Sequence, residues 1–120
     1  MLINELAKKT GISAHTIRFY EKSGLIEGKR DESIKTNNYF HYDEETIEKL
    51  EFISDAKSVG FTIREIGQVI DAWYNNKYSK DEKLKILDEK LLSLKHKLNE
   101  IKQMKKQIEE FKKDVLNDMC

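Results

Sequence analysis

The spacing of apolar positions changes character twice along the chain. Residues 1–24 show two short helical runs, residues 25–42 show no helical period, and from residue 43 helical spacing resumes to the end. In the first run Leu6 and Ala7 face inward and Lys8 and Lys9 outward, with Asn4 as the expected cap. Thr10-Gly11 breaks the run. Ser13 then caps a second helix, stapled by Ile12 before the cap and Ile17 after it. Ile17 and Tyr20, joined by Phe19, form its expected buried stripe, and Gly24 its left-handed stop. Two short helices around a glycine turn make a helix-turn-helix candidate.

The aperiodic segment LIEGKRDESIKTNNYFHY has β-prone runs at Leu25-Ile26 and at Tyr39 to Tyr42 around a polar middle. A small hairpin with a long tip is the expectation, with Lys29, Arg30 and Lys35 on or near that tip. Asp43 caps a third helix through Ile47, Leu50, Ile53 and Ala56, which ends at Gly60. Thr62 and Glu65 make a capping box, stapled by Phe61 and Ile66, opening a fourth helix through Val69, Ile70 and Trp73. Asn75-Asn76 closes it, and Ser79 with Glu82 repeats the box.

Beyond Ser79 the apolar positions are Leu84, Leu87, Leu91, Leu94, Leu98, Ile101, Met104, Ile108, Phe111 and Val115. They alternate steps of three and four, with one extra step of three near Ile101, so this is a heptad seam containing a stammer. The remaining faces are dense in Lys and Glu. A helix of about 38 residues is roughly 57 Å long, and so small a body cannot cover its seam. A partner helix is implied, most economically a second copy.

Composition sharpens this picture. Of 120 residues 38% are apolar and 37% charged, with no proline, which favours an all-helical, oligomeric chain over a large globule. The net charge is zero, but residues 1–40 carry seven Lys/Arg against five Asp/Glu, so the first third is mildly basic. Cys120 is the only cysteine, which excludes an intrachain disulfide and makes a reducing cytoplasm the default. No apolar run approaches membrane-spanning length, and no export signal opens the chain. No nucleophile–base pair, phosphate-cradling glycine loop or carboxylate cluster suggests an enzyme.

The stretches INELAKKTGIS, TIRFYEKSGLI, NNYFHYDEE and FISDAKSVGFTIREI resemble, in order, the successive signatures of the MerR family of bacterial transcription regulators. The resemblance covers nearly the whole chain. It implies an all-α dominated fold: a winged helix-turn-helix over 1–76 with a small β-hairpin wing, then a coiled-coil dimerisation helix over 79–117. Within the first part the helix-turn-helix spans about 3–23, the wing 25–42 and two further helices 43–59 and 62–75. HTIRFYEKSG would be the recognition helix, with His15 and Thr16 toward base edges and Arg18 and Tyr20 toward phosphates. Phe19 would support the helix from behind. Lys29, Arg30, Lys35 and Tyr39 would belong to the wing, and Lys57 would add a further phosphate contact. The seam from Leu84 through Leu87, Leu91, Leu94, Leu98, Ile101, Met104, Ile108 and Phe111 would be the dimer interface.

On the residues alone, His15 also suits a solvated surface position, Tyr20 a core aromatic, and Lys22 and Lys35 simple solubilising charges. Arg18 also suits an ion pair with Glu21 or Glu45. The sequence departs from the family in the wing, where Asn38-Tyr39-Phe40 replaces the usual glycine-tyrosine-arginine. Metal-sensing relatives use paired cysteines after the long helix, and an iron–sulfur sensor needs four, so no metal and no cofactor is expected. The implied partners are double-stranded promoter DNA, a second copy of the chain and RNA polymerase at the same promoter, with no effector identified. The competing reading is a coiled-coil protein-interaction module whose helix-turn-helix does not read DNA.

Overall fold

A computed structural model describes residues 1–30, 40–76 and 78–118, without the side chain of Arg30. The helices are α1 (Ile3–Thr10), α2 (Ala14–Lys22), α3 (Glu44–Ser58), α4 (Ile63–Ile70) and α5 (Lys80–Leu116). Two short strands, β1 (Lys29–Arg30) and β2 (Phe40–His41), pair antiparallel between α2 and α3, Lys29 opposite His41 and Arg30 opposite Phe40. The chain divides into two compact units, Met1–Tyr78 and Ser79–Cys120.

The first unit is built around Leu6, Ile17, Leu50, Ile53 and Ile66, one or two from each of its four α-helices and all fully enclosed. Local chemistry starts three of those helices where the sequence indicates. The side chain of Ser13 accepts from the Thr16 N–H, that of Asp43 from the Thr46 N–H, and Thr62 and Glu65 form the reciprocal box. The Thr46 amide bond holds the Asp43 carboxyl below its ordinary pKa. Gly11 (φ 72°) and Gly24 (φ 80°) stop α1 and α2 in the left-handed region, which costs residues with a Cβ more than glycine.

Three expectations need correction. Asn4 lies inside α1, whose cap is Leu2 without a side-chain bond. That end of the chain is tied down instead by Tyr42, which donates its N–H to the Met1 carbonyl at 2.8 Å. The Tyr42 carbonyl in turn accepts from the Met1 ammonium at 2.9 Å. Leu25 and Ile26 form no strand but belong to the core. Their apolar run is explained by burial on all sides, which a β-prone run alone does not distinguish from a strand. Finally, α4 gives way after Ile70 to a π-helical turn, Asp71–Asn75. The wider turn narrows the angle between successive side chains, so adjacent Trp73 and Tyr74 both meet the ring of Phe52, at 6.1 and 5.7 Å.

The second unit is dominated by α5, 37 residues opened by the Ser79–Glu82 capping box. All ten seam positions from Leu84 to Val115 are exposed. Among the described residues no helix is long and apolar enough to cross a membrane.

Candidate nucleic-acid interface

Helix α2 has two faces of opposite character. Ile17 and Tyr20 are buried, while His15, Arg18, Phe19 and Lys22 are exposed. Spacings of three, four and seven residues put those four side chains on one side of the helix. At the helix start the Thr16 hydroxyl oxygen accepts from Ser13 Oγ at 2.9 Å, so its own hydrogen is available to donate outward.

Phe19 overturns its expected place behind the helix. It is 49% exposed, its ring 6.0 Å from that of Tyr20. Tyr20 takes the core position, with 3% exposure. Its ring lies in the core, and its hydroxyl accepts from Lys57 Nζ at 3.4 Å. Lys57 also stands 5.7 Å from the Tyr20 ring centre, within cation–π reach. The two residues, far apart in sequence, thus present one exposed cation next to α2. Ile17 and Tyr20, three residues apart, share the inward stripe that helical spacing predicts, and both belong to the core.

Arg18 lies on the open side. Glu45 pairs with Lys49 at 3.6 Å. Glu21 instead accepts from the Gly28 N–H at 3.1 Å and from the Tyr42 hydroxyl at 3.2 Å. Among the described residues neither carboxylate that the sequence offers to Arg18 is bonded to it. Arg18, Glu21 and Phe40 line a hollow of about 420 Å³ with Leu2, Ile3, Asn4 and Tyr42. Phe40, at the position where the family wing carries arginine, thereby supplies apolar surface beside Arg18. Burial, and then the Glu21 carboxylate, push the Tyr42 phenol up to about 12, while Arg18 pulls the other way.

The wing strands bring exposed Lys29 to one leg of the hairpin, with the Arg30 backbone next to it. After the bonds from Thr46, the charge of Lys29 adds to the lowering of the Asp43 pKa. Lys35 and Tyr39, and with them the long tip, lie outside the described residues, as does Cys120. His96 is an exposed residue of α5, and among the described residues no three His, Cys, Asp or Glu side chains gather as metal ligands. The linkage of Glu21 to Gly28 and Tyr42 escaped the sequence reading. Its only trace there is an acidic residue three places after Arg18 and a glycine four places after Gly24.

Comparisons with known proteins bear on this arrangement. The family model described as "MerR HTH family regulatory protein" matches residues 1–73, and that described as "MerR, DNA binding" matches residues 47–111. The mercuric resistance operon regulatory protein of Bacillus cereus is 41% identical over 69 residues, 57% of this chain and 49% of its own length. The chain thus spans about half the length of that relative. The transcription regulator PbrR691 of Ralstonia metallidurans, solved in complex with lead(II), has a TM-score of 0.81 at 24% identity, covering 95% of this chain and 86% of that one. HiNmlR, described as a MerR family regulator lacking the sensor domain and solved bound to promoter DNA, has a TM-score of 0.61 at 23% identity, covering 97% and 94%. At such identities the structures show a shared winged helix-turn-helix fold. The family match across residues 1–73 shows more: this chain belongs to the MerR helix-turn-helix family of regulatory proteins.

Proposed function

We propose that the chain is a sequence-specific, double-stranded-DNA-binding transcription regulator that acts as a homodimer and is not an enzyme. The observation that carries this reading is the open face of α2. One cation and one aromatic, Arg18 and Phe19, are exposed on a helix whose opposite side is buried in the core through Ile17 and Tyr20. Exposing such a face serves a partner that is polyanionic and grooved. His15 and Thr16, at the leading end, address base edges in the major groove. Arg18 and Lys57 address phosphates, Tyr20 acting through Lys57, and Lys29, Arg30, Lys35 and Tyr39 belong to the wing.

Residues 1–76 are the DNA-binding part and 79–117 the dimerisation helix. Covering an apolar side chain is worth roughly 1.5–3 kcal/mol. Ten exposed positions on each of two helices, even half covered, outweigh an association cost of about 4–15 kcal/mol. Two recognition helices held apart by such a helix pair can read a two-fold site and bend or untwist it. That change brings RNA polymerase contacts at the same promoter into register. Binding occurs in the cytoplasm without a cofactor.

The test is fluorescence anisotropy at two salt concentrations, using a duplex from upstream of the chain's own gene and a scrambled duplex of equal length. Selective binding that weakens steeply with salt is expected. Arg18→Ala should cost about tenfold in affinity without lowering the melting temperature. No binding to any duplex at low salt would overturn the reading and leave the α5 seam, as a protein-interaction surface, to carry the function.

A further inference from the structure

We infer that Glu21, Gly28 and Tyr42 form a joint that sets the angle between the recognition helix and the wing, making Glu21 and Tyr42 positioning residues for DNA binding. This rests on the DNA-binding reading above and adds to it a determinant that touches no DNA.

The geometry is specific. Glu21 sits in the last turn of α2, three residues after Arg18. One of its oxygens accepts from the Gly28 N–H at 3.1 Å, immediately before β1. Both of its oxygens lie 3.2 Å from the Tyr42 hydroxyl, immediately after β2. A single carboxylate therefore grips both legs of the hairpin at its root. Bonds to a charged acceptor are stronger than bonds between neutral groups.

Gly28 reinforces the joint by its lack of a side chain. A Cβ there would lie 2.7 Å from the Glu21 carboxylate oxygen and 2.9 Å from both Phe40 and Tyr42. Any other residue would force the Glu21 carboxylate and the Phe40 and Tyr42 side chains to shift. Tyr42 is fixed from the opposite side, because both of its backbone polar groups are engaged by Met1. Its hydroxyl thus reaches Glu21 from a backbone bonded on both of its polar groups. The ladder between β1 and β2 is two residues long, and an isolated two-stranded hairpin is marginal in water. Among the described residues, the root is where side-chain bonds link the wing to α2.

The experiment uses the full chain with Glu21→Ala, Glu21→Gln and Tyr42→Phe. Each is measured for melting temperature, for amide exchange at Gly28, and for the dependence of affinity on salt with the upstream and scrambled duplexes. Glu21→Ala should speed exchange at Gly28, weaken binding about tenfold and flatten the salt slope by about one for each wing cation displaced. The preference for the upstream duplex should change little, since phosphate contacts carry no sequence information. Glu21→Gln, which keeps an acceptor for Gly28, should restore most of the slope. Tyr42→Phe, which keeps the ring packing, should fall between the two.

A lowered melting temperature with the wild-type salt slope would overturn the inference and leave the joint a purely structural contact. Unchanged Gly28 exchange in Glu21→Ala would overturn it independently of any DNA measurement. Failure of the wild-type chain to bind DNA would overturn the functional reading and this inference together, whatever the exchange data show.

Discussion

Leucine and isoleucine behave in opposite ways in the two units. In the first, Leu6, Ile17, Leu50, Ile53 and Ile66 are fully enclosed. In the second, Leu91 and Ile108 are each 64% exposed and Phe111 56%. The residue types are the same and both sets follow helical spacing. What differs is the opposing surface. Helices α1 to α4 are separate elements whose apolar stripes meet in one core, so each covers the others. Helix α5 is one long element, and its seam positions stay exposed among the described residues. Hydrophobic period announces that a stripe will be covered, and only the remaining chain says whether that cover lies within one molecule or between two.

The comparison breaks most sharply at the seam. Leu94→Glu should convert a dimer to a monomer in sedimentation equilibrium, because each uncompensated charge buried in the seam costs roughly 3–5 kcal/mol. An unchanged mass would mean that the seam is not the interface. Next in size, Leu50→Ala should destabilise the first unit by about 2–5 kcal/mol through the cavity it leaves. That loss should not depend on protein concentration, whereas the milder loss from Leu91→Ala should grow on dilution. If both variants respond alike to dilution, the distinction between the two units fails.

Smaller effects refine the picture within each unit. Thr62→Ala and Ser79→Ala each remove a side-chain cap from a helix start and should cost about 1 kcal/mol in chemical denaturation. Tyr42 governs the alkaline limit. Its folded pKa, raised to about 12 from an ordinary 10, favours the protonated phenol in the folded state. That stabilisation is complete below pH 10 and is lost as the pH rises toward 12. Tyr42→Phe should flatten this decline, and the tyrosinate absorbance of the variant should lack its highest-titrating component. A titration curve unchanged but for its amplitude would refute the raised pKa of Tyr42.

Much of the local structure was legible because it depends on residues within one turn of each other. The caps at Ser13, Asp43, Thr62 and Ser79 are three-residue relations, and the observed bonds follow them. The stops at Gly11 and Gly24 need only one backbone conformation. The start of α1 failed that logic. Its end is held by Tyr42, 41 residues away, and so Asn4 stands unused as a cap. Likewise, β-prone Leu25-Ile26 became core because other elements surround it.

The sequence by itself determined the order of elements, the family and the long helix with its unpartnered seam, since periodicity and capping act along the chain at short range. Tertiary structure alone decided that Phe19 leaves the buried stripe, that Tyr20 holds Lys57, and that Glu21 ties both legs of the wing. Each of these joins residues from different elements. Their identity depends on which side chains packing brings within about 3 Å, and no spacing along the chain encodes that distance.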